Sequence, residues 1–126
     1  MEFNSNNKPT GLRRIWLALP NSVKGFKWLI NNESAFKQEI IMVLVTIVIL
    51  SFWNITLYEK FAIFCAALLV LFAEIINTAI EVTVDRISYE MNPLSGLAKD
   101  LGSAAVFISL LIFVLVWLTV IYQNLL

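Results

Sequence analysis

Glu74, Asn77 and Glu81 lie inside an apolar stretch at spacings of three and four residues, which align side chains along one face of a helix. A carboxylate within a membrane-spanning helix is expensive and is seldom placed there without a task. The line runs on to Asp85-Arg86, where the chain leaves the apolar stretch. At the helical rise, Glu74 is about 10 Å deeper than Glu81. Two further clusters bring polar groups to the same level: Asn32-Glu33-Ser34-Ala35-Phe36-Lys37-Gln38-Glu39 before one apolar run, and Lys99-Asp100 with Ser103 at the start of another.

Carboxylates gathered in this way repel one another unless a cation separates them. The chain has no histidine, and oxygen ligands alone suit Mg²⁺, which often bridges one or two carboxylates to substrate phosphates. Lys99 can face such a phosphate as a point charge. Glu74, the deepest acid, is the one that burial would turn into a general base. Asn77 stands between Glu74 and Glu81 and is expected to orient them. The chemistry predicted from these residues is phosphoryl transfer from a metal-bound donor to a hydroxyl arriving from the membrane. No glycine loop of the GxxxxGK[ST] or GxGxxG type is present; the only glycines are Gly11, Gly25, Gly96 and Gly102. A nucleotide here would be held by metal, carboxylates and basic groups.

The elements that must position these residues follow from composition. Of 126 residues, 60% are hydrophobic and 14% charged, which suits one membrane domain and not a soluble one. Net charge is zero, so no nucleic-acid partner is expected, and the single Cys65 cannot form an internal disulfide. Residues 1–11 are polar and read as no removable signal. Apolar runs cover Ile40–Trp53, Phe61–Ile80 and Ser103–Tyr122. A bilayer core needs about 20 helical residues, so transmembrane helices are expected over 35–53, 61–84 and 99–122. Six of the nine Lys/Arg precede the first run (Lys8, Arg13, Arg14, Lys24, Lys27 and Lys37), and Arg86 and Lys99 border the second link. The N-terminus and that link therefore belong in the cytoplasm, and the C-terminus on the far side.

Residues 10–32 carry an apolar stripe of Trp16, Leu19, Val23, Phe26 and Ile30 beside four basic residues. That pattern predicts an amphipathic helix lying on the membrane surface, broken at Pro20 and restarted with Asn21 or Ser22 as cap. Asn92-Pro93 predicts a turn, after which Ser95 would cap the third span. Gly102-Ser103-Ala104-Ala105 opens that span with small side chains that permit close helix contact. Trp16, Trp28, Trp53 and Trp117 read as interfacial anchors. The chain is thus expected to be an all-α membrane protein with an N-terminal surface helix and three spans.

Glu74-Ile-Ile-Asn77-Thr-Ala-Ile-Glu81, Asp85-Arg86, Ala98-Lys99-Asp100-Leu-Gly102-Ser103-Ala-Ala and the Asn32–Glu39 block together resemble the prokaryotic diacylglycerol kinases. The resemblance implies a bacterial inner-membrane homotrimer with sites shared between subunits, using MgATP to convert diacylglycerol to phosphatidic acid. By position it implies Glu74 as catalytic base and Glu33 and Glu81 as holders of the metal of MgATP. It places Lys99 and Asp100 on the nucleotide, lined by Glu90, Met91 and Asn92, with Arg14 and Asn21 nearby. It turns Gln38, Ser103, Ser22 and Lys27 of the surface helix, and Glu74 itself, toward the lipid. This chain departs from the family pattern at Asn21, where an aromatic residue is usual, at Val23, where a Trp is usual, and at Met91-Asn92, where Tyr-His is usual. A sister branch acts on undecaprenol, and the Glu33–Glu39 and Gly102–Ala105 stretches look more like the diacylglycerol branch. Two other classes use the same residues differently: a proton-coupled transporter with Glu74 as carrier, and a structural subunit in which Glu74 and Asn77 are interhelical glue. The lack of a second inverted half counts against the transporter.

Overall fold

A computed structural model of the protein describes residues 8–126, all of whose regular elements are helices. The reading of residues 1–11 as free of a removable signal falls mostly outside these described residues. The order is α1 (Gly11–Asn32), α2 (Ser34–Phe52), α3 (Leu57–Ile87) and α4 (Pro93–Leu125). The chain divides into two units, one ending at Ser34 and the other spanning Ala35–Leu126.

The first unit contains α1. Its amphipathic pattern is as expected, with Trp16, Leu19, Val23, Phe26 and Ile30 all exposed along it. The predicted break at Pro20 does not occur: α1 is one helix with Pro20 inside it. Proline removes one backbone donor and crowds the preceding turn. The donor lost is the one that would have bonded the carbonyl of Trp16, and the helix continues through this single missing bond. Asn21 and Ser22 are therefore interior helical residues and not caps.

In the second unit, α2, α3 and α4 are each long and apolar enough to cross a membrane. The protein is an all-α membrane protein. Helix α3 begins four residues before the apolar run at Phe61 because Thr56 and Glu59 form a reciprocal capping box. The Thr56 hydroxyl accepts from the Glu59 N–H at 3.2 Å, and the Glu59 carboxylate accepts from the Thr56 N–H at 3.1 Å. Helix α4 also starts earlier than expected. Its cap is Asn92, whose side chain accepts from the Leu94 N–H at 2.8 Å, and Pro93 occupies the first turn. Proline suits that position because its missing donor would have had no partner there. The cap is thus Asn92, and Ser95 lies inside the helix.

Helix α3 packs along α4 and buries a continuous stripe at helical spacing: Ile63, Ala66, Ala67, Val70, Ala73, Glu74, Asn77 and Thr78. The first part of the stripe is apolar or small, and the last part is polar. The alanines let backbones approach. At the end remote from Glu74, Leu50, Ile63 and Val120 form a buried cluster. Beside it Trp53 stacks on Trp117 with centroids 5.9 Å apart, and Phe113 meets Trp117 edge-on at 6.2 Å. This apolar clamp holds α2, α3 and α4 together at one end and leaves the polar residues to occupy the other.

Candidate active site

The polar line of α3 is buried because it continues the stripe that faces its neighbours. Glu74 is 7% exposed and Asn77 9%. Glu81 is half-buried at the mouth of the same face. The predicted alignment is realised as a contact: Asn77 Nδ2 donates to Glu81 Oε1 at 3.3 Å. Asn77 thus fixes one oxygen of the shallow acid, and the other is left to solvent or a ligand. The Asn77 carbonyl oxygen is itself buried with no hydrogen-bond partner.

Two residues without an assigned role join this line. Glu39, on α2, brings its carboxyl within electrostatic range of Glu74, and one of its oxygens is buried with no hydrogen-bond partner. It stands in the Asn32–Glu39 block, but spacing within one helix cannot reveal which neighbour it meets. Asp85 accepts from Lys99 Nζ at 2.9 Å, across the link between α3 and α4. Its position four residues after Glu81 on the same helix face was the available signal. Glu81 also lies within electrostatic range of Lys99. One face therefore presents, from the interior outward, Glu74 with Glu39 beside it, Asn77, Glu81, and the Asp85–Lys99 pair. A donor with phosphate charge would find Lys99 at the outer end and a shielded carboxylate at the inner end.

The Asp85–Lys99 pair is more than a third exposed on both sides, and ion pairs of that kind contribute little to folding. Asp85→Asn should leave the thermal midpoint of the detergent-solubilised protein where it is. A clear fall in that midpoint would mean the pair anchors the α3–α4 link instead of holding Lys99 at the site.

The remaining predicted residues are less gathered. Asp100 and Ser103 are exposed on α4, and Gln38 is exposed on α2. Glu90, Met91 and Asn92 are exposed in the link, where Asn92 is engaged as the α4 cap. Arg14, Asn21, Ser22 and Lys27 are exposed on α1. Glu33 ends α1, half-buried, with its N–H donating to the Leu29 carbonyl at 2.9 Å.

A family model described as prokaryotic diacylglycerol kinase matches residues 20–121 of this chain. A protein named diacylglycerol kinase from Escherichia coli (strain K12) is 39% identical over 118 residues, covering 94% of this chain and 97% of its own. One of the same name from Pseudomonas aeruginosa is 40% identical over 111 residues, covering 88% of this chain and 90% of its own. Another from Helicobacter pylori (strain 26695) is 35% identical over 116 residues, covering 92% and 91%.

Proposed function

This chain belongs to the prokaryotic diacylglycerol kinase family, and we propose that it transfers the γ-phosphate of ATP to the free hydroxyl of diacylglycerol, forming phosphatidic acid at the cytoplasmic membrane surface. The observation that carries this reading is the division of one helix face by depth: Glu74 enclosed, Glu81 at the mouth, Asn77 bonded between them. A lipid hydroxyl approaches such a line from the bilayer, and a nucleotide approaches it from water.

In the proposed reaction the lipid hydroxyl oxygen bonds to the γ-phosphorus and gives its proton to the Glu74 carboxylate. The bond from that phosphorus to the β–γ bridging oxygen breaks, and its electron pair leaves with ADP. The proton on Glu74 then passes to water. Lys99 faces the transferring phosphate, released from Asp85 for that contact, and Asp100 lies one residue along. By the family resemblance, Glu90, Met91, Asn92, Arg14 and Asn21 would be nucleotide-binding. By the same resemblance, Ser22, Lys27, Gln38 and Ser103 would be lipid-binding.

No cluster of three or more metal-ligating side chains is preformed among the described residues. The donors at the mouth are carboxylate oxygens, which suit Mg²⁺, an ion that keeps several waters and shares one or two carboxylates with phosphates. Glu81 would hold it, and Glu33 is assigned to it by the family resemblance alone. When bound, Mg²⁺ supplies positive charge to the phosphate oxygens as the bond breaks. Glu81 suits this role because Asn77 fixes one of its oxygens and leaves the other available.

Location in the bacterial inner membrane, with the N-terminus cytoplasmic, is supported by the basic residues before α2. Assembly as a homotrimer with shared sites is what the family resemblance implies, and α4 leaves an apolar surface that lipid or a neighbouring subunit can cover. Purified protein should move label from γ-labelled ATP to diacylglycerol and do so faster than to undecaprenol presented beside it. Transfer to undecaprenol alone would reassign the substrate. Transfer to neither would overturn the kinase reading in favour of a carrier or structural role for Glu74.

A further inference from the structure

We propose that Gly102 is a positioning residue for this site: the absence of a side chain there sets the Asn77 amide, and through it the Glu81 carboxylate. The inference rests on the reading of Glu81 as a holder of MgATP. Gly102 is buried on α4 where that helix meets α3. A Cβ built on it would overlap Asn77 Oδ1, lie 3.3 Å from Asn77 Cγ and 3.6 Å from Asn77 Cα. The two helices therefore touch backbone to side chain at this point. Gly25 and Gly96 have open space around them, so close approach is particular to Gly102. Nor is glycine needed there for its conformation, since the positive φ in the described residues belongs to Gly11.

The contact has a direction. Asn77 Oδ1 faces the Gly102 Cα and has no conventional donor, while Nδ2 donates to Glu81. A Cα–H facing an amide oxygen is a weak donor, sufficient to favour oxygen over nitrogen on that side. With the oxygen seated against Gly102, the nitrogen must point at Glu81. A methyl group at position 102 removes the seat. The amide then turns or the helices part, and in both cases Glu81 loses the donor that fixes its oxygen.

The test compares Gly102→Ala with Asn77→Ala/Gly102→Ala in the full chain, in micelles. Binding of Mn²⁺ with a non-hydrolysable ATP analogue is followed by electron paramagnetic resonance. The side-chain amide signal of Asn77 is followed by ¹⁵N-resolved NMR. Gly102→Ala should shift the Asn77 signal and weaken the Mn²⁺–nucleotide complex by about tenfold, the lower range for loss of a group that orients a metal ligand. In the Asn77→Ala background the same change should cost nothing further, because the smaller side chain leaves room for the methyl group. An equal loss in both backgrounds overturns the proposal, since Gly102 then serves general packing. An unmoved Asn77 signal overturns it too. If Gly102→Ala does not fold, the double variant should, and its failure to fold likewise overturns the proposal. Glu81→Gln in the otherwise unchanged chain separates the two levels. If Glu81→Gln binds as the parent does while Gly102→Ala still moves the Asn77 signal, the contact stands but the Glu81 reading falls, and the proposed link from Gly102 to MgATP falls with it.

Discussion

Glu74→Gln should lower the rate of phosphate transfer to diacylglycerol by about 10²–10⁴-fold, the usual range for loss of a general base. The substitution keeps the shape of the side chain, turns one acceptor oxygen into an NH₂ donor, and removes both the charge and the ability to accept the proton. Glu74 lies almost wholly inside the bundle, so shape has to be preserved for the test to be clean. Helical content and assembly state should match the parent, and KM for MgATP should change little, because the proposed nucleotide position is at the outer end of the line. Rates measured in mixed micelles with a fixed surface fraction of diacylglycerol check the first expectation, and circular dichroism with size-exclusion chromatography checks the second. Parental turnover would remove Glu74 from the role of base. A collapse of the fold would instead support the glue reading, in which a buried polar side chain serves helix association.

The second large effect is on metal dependence. Glu81→Gln and Glu33→Gln should each raise the Mg²⁺ concentration needed for half-maximal rate by about tenfold or more, at least as much as losing a residue that merely orients a ligand. Gln at position 81 can still accept from Asn77 Nδ2 through its one oxygen, so that hydrogen bond is kept while the charge and the second oxygen are removed. High Mg²⁺ should recover part of the rate in these variants and none of it in Glu74→Gln. That contrast separates holding the cation from taking the proton. Metal dependence unchanged in both variants would take Glu33 and Glu81 out of the metal site.

Much of the site was legible along the chain because it lies along one helix. Residues at i, i+3 and i+7 share a face whatever that helix meets, so Glu74, Asn77 and Glu81 could be placed in a line, and in order of depth, from spacing alone. The three membrane-crossing helices were equally legible, since a bilayer demands long apolar helical segments. The helix starts depart from the apolar runs because of end signals. Thr56-x-x-Glu59 and Asn92-Pro93 are strong start signals that move the beginnings of α3 and α4 outward from their apolar cores. Pro20 carries the signature of a helix breaker, yet α1 runs through it with one backbone donor missing.

What periodicity cannot contain is which face of one helix meets which face of another. That depends on rotation about each axis and on crossing distance, both set by packing over the whole length of the bundle. The pairing of Lys99 with Asp85 is of this kind, as is the approach of Glu39 to Glu74. Gly102 is the sharpest case. In the linear chain it opens a run of small residues, suited to close contact with any neighbour. Packed against α3, it becomes the surface on which the Asn77 oxygen rests, which leaves the amide nitrogen for Glu81. The row of polar residues along α3 is a property of helical spacing; the direction in which its central amide points is a property of the helix beside it.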